Sequence, residues 1–249
     1  MLFVSARFLF FTYLFFMKIT IDKRDPRTQP QGVEPGYPQT ALRWPSQPLQ
    51  RRPLGASELG GPQDVMRRLA PVRGDLAGHG AKRAIGQLIH LRARVVDEDG
   101  APVPGAVVEI WHCNAAGKYI HPNDTNDAPV DPNFYGAARL VASDSGLVEL
   151  RTVKPAAYPV PDDPAGWWRP PHVHFSVWGR VWLSRLVTQM FFPGEPLNDS
   201  DAILNAIRDP QARARCIARL AAPSQGAENA LVYEYQLVVR GRKSTPGLP

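Results

Sequence analysis

Cysteine is nearly absent from this chain, and the two that occur, Cys113 and Cys216, lie far apart with no CxxC pattern. That excludes a disulfide framework and makes a reducing cytoplasm the default compartment. A long apolar run is missing as well. Phe8 to Met17, behind Arg7, falls short of the ~20 residues a bilayer-spanning helix needs. No small-x-small cleavage site follows it, since the chain continues Lys18-Ile19-Thr20-Ile21. Residues 1–16 read as an upstream mis-assigned start, with translation opening at Met17 and an export signal as the rival. Charge of one sign does not dominate either, since 29 Lys and Arg stand against 23 Asp and Glu, a net charge of +6. The basic residues are scattered, without an aromatic-interleaved stripe, which argues against nucleic acid. An anionic ligand or a partner subunit accounts for the excess.

What is present fits an ordinary globular domain, with hydrophobic residues at 44% and charged ones at 21%. A chain of 249 residues can bury a full core as one domain. Residues 17–82 are the exception. From about Asp25 to Lys82 they are rich in Pro, Arg and Gly with little periodicity, too poor in apolar surface to fold alone. They read as an extended N-terminal arm wrapped over the core or a neighbouring subunit.

Residues 83–249 read as an all-β domain, an antiparallel β-sandwich with short helices near the C-terminus. Runs and alternation predict strands over 88–96, 106–111, 138–142, 147–153, 172–178, 186–192 and 231–240. Asp97-Glu98-Asp99-Gly100 and Asp144-Ser145-Gly146 are expected to close hairpins. One helix is expected after an Asp199-Ser200 cap, a second from near Pro210 to about Ala221. Strands at short spacing with turn signals favour a sandwich over other β architectures.

The segment most telling of chemistry is Trp168-Arg169-Pro170-Pro171-His172-Val173-His174-Phe175. Side chains on a strand alternate with period two, so His172 and His174 leave one face. Two neutral imidazoles on one face are half of a transition-metal site, or two polar residues of a solvated strand. Further donors are available upstream. Tyr119 sits in a glycine-punctuated loop after Val107-Val108-Glu109-Ile110-Trp111, and Tyr158 in the proline-bracketed Val153-Lys154-Pro155-Ala156-Ala157-Tyr158-Pro159. A phenol titrates near pH ~10, so it serves as a ligand only to a hard, strongly polarising cation. Ferric iron meets that condition better than zinc. Each tyrosine alone reads equally as a packed loop residue; the combination of four is what is uncommon.

These residues stand within a longer pattern. Ala93-Arg94-Val95-Val96-Asp97-Glu98-Asp99-Gly100 through Pro104-Gly105 comes first, then Val108-Glu109-Ile110-Trp111-His112-Cys113-Asn114 through Lys118-Tyr119. Asp131-Pro132-Asn133-Phe134, Arg151 to Pro159, Trp168 to Phe175, Thr188-Gln189-Met190-Phe191-Phe192 and Val239-Arg240-Gly241 follow. In this order the pattern resembles the intradiol ring-cleaving dioxygenases, most of all the iron-bearing β-type chains that cleave protocatechuate. The resemblance implies a mononuclear non-haem Fe(III) held by Tyr119, Tyr158, His172 and His174. It implies catalytic roles for Arg169 and Tyr158, the latter releasing the metal and taking up a substrate proton. Gln189 and Arg169 would face the substrate, Trp111 would support the site, and Tyr37 would contact a substrate carboxylate.

The activity so implied is cleavage of protocatechuate by O2 to 3-carboxy-cis,cis-muconate, in aromatic catabolism. An α-type companion chain in a hetero-oligomer, a cytoplasmic location and no membrane or nucleic-acid partner go with it. Catechol and hydroxyquinol enzymes carry a helical domain before the core, which is not seen here. One departure bears on the substrate: Val160 stands where protocatechuate enzymes have a tryptophan, so the pocket wall is smaller. Catechol, hydroxyquinol or a substituted catechol are therefore alternative substrates. A non-catalytic sandwich subunit and a zinc hydrolase built on His-x-His are rival readings of other classes.

Overall fold

The computed structural model describes residues 47, 72, 74–79, 82–160, 166–179, 185–222 and 229–239. Two four-stranded sheets face each other. The first has the order β10-β9-β4-β5, built from β4 (Val107–Trp111), β5 (Ala137–Val141), β9 (His172–Trp178) and β10 (Arg185–Phe191). The second has the order β11-β12-β3-β6, from β3 (Leu88–Val96), β6 (Leu147–Val153), β11 (Arg219–Ala221) and β12 (Leu231–Val238). Two short ribbons complete the strands. β1 (Gly78–His79) pairs with β2 (Lys82–Arg83), and β7 (Tyr158–Pro159) with β8 (Trp168–Arg169).

Period-two alternation explains the core. Ile89, Leu91, Ala93 and Val95 from β3 and Tyr233, Tyr235 and Leu237 from β12 meet Val108 and Ile110 from β4 and Val173, Phe175 and Val177 from β9. At ~25 cal/mol per Å² of apolar surface removed from water, this shared layer is the main favourable term in the fold. Leu76 and Ala77, from the end of the N-terminal arm, are fully buried in the same cluster. Backbone bonds of Val72 with Arg139 and of Leu76 with Arg151 tie that segment to both sheets.

Several expectations change in detail. The turns at Asp97–Gly100 and Ser143–Gly146 form, with Gly100 and Gly146 at φ +82° and +74°. They close only short local pairings, Val96 with Pro102 and Ser143 N with Leu147 O, not hairpins between strands of one sheet. Each carries the chain from one sheet to the other, because β3 and β4, like β5 and β6, belong to opposite sheets. Between these strands pairing is antiparallel except where β12 runs parallel to β3, and the isolated bridges of Asp75 with Arg151 and Phe191 with Ile217 are parallel too. The first helix, α1 (Ala202–Asn205), is capped by Asp201, and residues 196–199 form a 3-10 turn. The second, α2 (Pro210–Ala214), is shorter than expected. Its continuation is drawn into the sheets, through Phe191 N to Cys216 O and Ala218 N to Phe191 O, and then into β11. Backbone groups that would have extended the helix are satisfied better in a ladder.

Candidate metal centre

The outer face of the first sheet carries the site. His172, His174, Ser176 and Trp178 point away from the core along β9, opposite Val173, Phe175 and Val177. Across the ladder His174 lies between Gln189 on β10 and Trp111 on β4, and His172 lies beside Phe191. Trp111 stacks on the His174 ring with centroids 4.9 Å apart and planes 7° from parallel. The indole thus holds the imidazole plane fixed.

Two loops bring the phenols over this face. In the first, the Asn114 side chain accepts from Ala116 N and Lys118 N at 2.9 Å and donates to Pro129 O. Asp124 accepts from Tyr119 N at 2.7 Å and from Asn126 N at 2.8 Å, anchoring the tyrosine's own backbone. The second loop is clamped against the first at Gly117. A Cβ there would stand 2.7 Å from Ala157 O and 3.2 Å from the Tyr158 Cβ, at a φ of +87° that side chains disfavour. Only glycine lets the loops approach closely enough for their tyrosine rings to meet edge to face at 5.4 Å.

Four donor atoms converge as a result. Tyr119 Oη lies 3.2 Å from His174 Nε2, Tyr158 Oη 3.3 Å from His172 Nε2, and the two Nε2 atoms 3.2 Å apart. Ligands ~2.0–2.1 Å from one transition-metal ion, at right to tetrahedral angles, are spaced by roughly 2.8–3.4 Å. The donor set therefore fits a single ion. Among the described residues no group of three or more His, Cys, Asp or Glu is placed to hold a metal ion.

The electrostatics suit the same ion. Burial, with the Arg169 cation next in weight, lowers the His172 pKa well below the usual histidine value. Burial, then Arg169 and His112, pushes His174 down to about 3. Both rings are therefore neutral, the form that binds metal. His172 Nδ1–H donates to Pro170 O at 2.7 Å, which leaves Nε2 as its lone-pair atom. Burial, followed by the neighbouring Tyr158, raises Tyr119 well above the ordinary phenol range. A phenolate at that position needs a hard cation to hold it.

Beside the donors, Arg169 is buried, not a surface ion-pair residue. Its Nε donates to Asp201 Oδ1 at 2.7 Å and its Nη2 to Gln189 Oε1 at 2.6 Å. The β7–β8 ribbon sets Tyr158 directly opposite Arg169. Val160, at the departure noted in the sequence, is buried, and its N–H donates to Trp167 O at 2.9 Å. An aromatic ring does lie beside the guanidinium, but Trp167 supplies it, 5.6 Å from the Arg169 Cζ. Burial pushes the Cys113 thiol up to about 12, so it is an inert core group that donates to Ala156 O. A cavity of about 550 Å³ borders the phenols, lined by Trp111, Tyr119, Ile120, Asp124, Tyr135 and Tyr158. Of the residues expected at the site, Trp111, Tyr119, Tyr158, Arg169, His172, His174 and Gln189 come together; Tyr37 lies outside the described residues. Asp201 and Asp124 were not foreseen. The only signal for Asp201 was its place just before a helix start, and none existed for Asp124.

A family model described as "Dioxygenase" matches residues 60–241. The protocatechuate 3,4-dioxygenase beta chain of Burkholderia cepacia is 40% identical over 90% of this chain and 95% of its own. The chain belongs to the intradiol dioxygenase family. Hydroxyquinol 1,2-dioxygenase of Rhizobium sp. (strain MTP-10005) is 33% identical to this dioxygenase over 47% of the chain, which spans 42% of that protein. Among solved structures, 3-chlorocatechol 1,2-dioxygenase from Rhodococcus opacus 1CP superposes with a TM-score of 0.51 at 25% identity. That match covers 66% of this dioxygenase and 63% of the other chain. The family typically works with ferric iron. Among the described residues no helix of this dioxygenase is long and apolar enough to cross a membrane.

Proposed function

We propose that this dioxygenase cleaves protocatechuate with O2 between its two hydroxylated carbons, giving 3-carboxy-cis,cis-muconate. The observation that carries the reading is the run of donors Tyr119–His174–His172–Tyr158, each within 3.3 Å of the next, in a chain 40% identical to a protocatechuate enzyme subunit. Tyr119, Tyr158, His172 and His174 hold the metal. Ferric iron held there would supply Lewis-acid activation of a catechol ring. Tyr158, as a phenolate, would accept a proton at Oη from the entering diol. Trp111 and Pro170 keep the two imidazoles in plane and in the right tautomer. Arg169, a permanent cation in a site shielded from water, stabilises negative charge developing on the bound ring, and Gln189 faces the substrate beside it. Tyr37 is proposed as a contact to the substrate carboxylate.

The organisation proposed with this activity is an arm over 17–82 and a catalytic sandwich over 83–249. An α-type companion chain is proposed because the Burkholderia relative is a beta chain, and a cytoplasmic location because this catabolic chemistry and the free thiols fit it. Val160 favours one alternative within the same chemistry, cleavage of catechol, hydroxyquinol or a substituted catechol.

The test is the visible spectrum and metal content of the purified protein, before and after anaerobic protocatechuate. A broad phenolate-to-iron band that shifts with protocatechuate and not with catechol is the expected result. A shift only with other catechols changes the substrate and keeps the site. A colourless, iron-free protein after reconstitution with iron and any companion chain overturns the proposal in favour of a binding subunit or, with zinc present, a hydrolase. Tyr158→Phe is expected to keep its iron and turn over slowly.

A further inference from the structure

Arg169 is held from two sides. Asp201, 0% exposed, takes Nε at 2.7 Å on one carboxylate oxygen and Nη2 at 3.3 Å on the other, while Nη2 also donates to Gln189. A forked pair of this kind constrains the guanidinium plane as well as its position. The carboxylate is itself anchored. Its Oδ2 accepts from Leu204 N at 2.9 Å as the N-cap of α1, and its backbone carbonyl accepts from the Asn205 side chain at 2.9 Å. Among the described residues no protein group accepts from Nη1, so this is the edge of the cation left for a ligand.

We infer that Asp201 is the positioning residue for Arg169, its capped carboxylate fixing the guanidinium so that Nη1 alone is presented to the substrate. The inference rests on the role proposed above for Arg169. It assigns α1 a purpose that its short length does not suggest, because the helix start sets the carboxylate that sets the cation. Gln189 is the weaker of the two holds, being neutral and bound through one atom. Without Asp201 the guanidinium can rotate about its bond to Gln189, and Nη1 loses its direction.

Asp201→Asn isolates the pairing, since asparagine caps a helix as well as aspartate but carries no charge. In the iron-loaded full chain, with its companion where one is required, kcat is expected to fall about 10- to 100-fold, the cost of misplacing a charged group. KM should move much less, and the resting visible band should be unchanged. In an Arg169→Gln background the same change should add almost nothing, because the two residues act as one unit. A second readout needs no metal. The Nε–H resonance of Arg169, assigned by its loss in Arg169→Gln, should be protected from exchange in the unmodified chain and exposed in Asp201→Asn. Unchanged kcat, an equal loss in the Arg169→Gln background, or a persistently protected Nε–H overturns the inference. Should Asp201→Asn fail to fold, Asp201→Glu serves, with the carboxylate displaced by one methylene and the same split between kcat and KM expected. A parent chain that neither binds iron nor turns over any catechol overturns the proposed function; the Nε–H comparison still decides the role of Asp201.

Discussion

Two rows of side chains, one on the outer face of each sheet, show what distinguishes a site from a surface. On the β11-β12-β3-β6 sheet the row reads Arg219, Glu234, Arg92, Glu149 across four strands. Charges alternate in sign, each opposite the next, and solvent covers them: Arg219 is 72% exposed and Glu149 60%. On the β10-β9-β4-β5 sheet the equivalent row reads Gln189, His174, Trp111, Ala137. Both rows follow the same alternation, and both flank the same core. The difference is the cover. Loops carrying Tyr119 and Tyr158 lie over the second row, lower the pKa of its histidine to about 3 and surround it with phenols. Strand geometry makes a row of neighbours, and exclusion of water turns one row into a ligand set.

Removing an imidazole from the covered face should have the largest effect. His172→Ala or His174→Ala is expected to strip the metal and with it the visible band and turnover, by metal analysis and oxygen uptake. Retained iron with full activity in His174→Ala would remove it from the ligand set. Next is His112, the buried ring that joins the two sheets by donating from Nδ1 to Cys113 O and accepting at Nε2 from Thr152. Burial lowers its pKa from 6.5 to about 4. The unfolded chain therefore takes up this proton first as pH falls. The contribution is fully present above pH ~6.5 and declines as pH drops towards 4, by on the order of 3 kcal/mol in all. Denaturant unfolding at several pH values should show that slope, and His112→Gln should make it shallower.

Gly117→Ala strikes at the cover itself. It places a methyl at positive φ against Ala157 O, and a loss of roughly 1–3 kcal/mol is expected, together with weaker metal retention as the tyrosine loops part. The smallest effect belongs to the open row. Arg92→Ala removes a pair with Glu149 at 3.1 Å, and a half-exposed ion pair contributes about 0–1 kcal/mol. Activity and metal content should not change. A loss of turnover in Arg92→Ala would mean that the two outer faces are not functionally separate.

How far each feature could be read in the chain depended on its range. Strand β9 was legible to the residue, because Val173, Phe175 and Val177 alternate with His172, His174 and Ser176 and the apolar half must face a core. The same local logic recovered β3 and β6. Turn chemistry at Gly100 and Gly146 was also local and correctly placed, but the hairpins expected there extend no further than the residues next to each turn, and the long strands part to opposite sheets. A turn specifies a reversal, not the sheet to which the next strand belongs. The end of α2 was misjudged for a related reason, since Cys216 and Ala218 bond to Phe191, a partner distant in sequence. Asp124 and Asp201 carried no signal as site residues because each acts on a residue it reaches only in three dimensions.

The amino-acid order alone determined which side chains are available: two imidazoles on one strand face, two tyrosines in turn-rich loops, and a β pattern with a single apolar face per strand. Those are consequences of backbone period and residue chemistry, and they hold wherever the strand lies. Tertiary structure decided which outer face would be covered. It also brought Tyr158 opposite Arg169 and tied Arg169 to a helix cap thirty-two residues away. Pairing register, loop-to-loop contact at Gly117 and burial of charge are set by the whole packed assembly of sheets, and no local stretch of chain contains them.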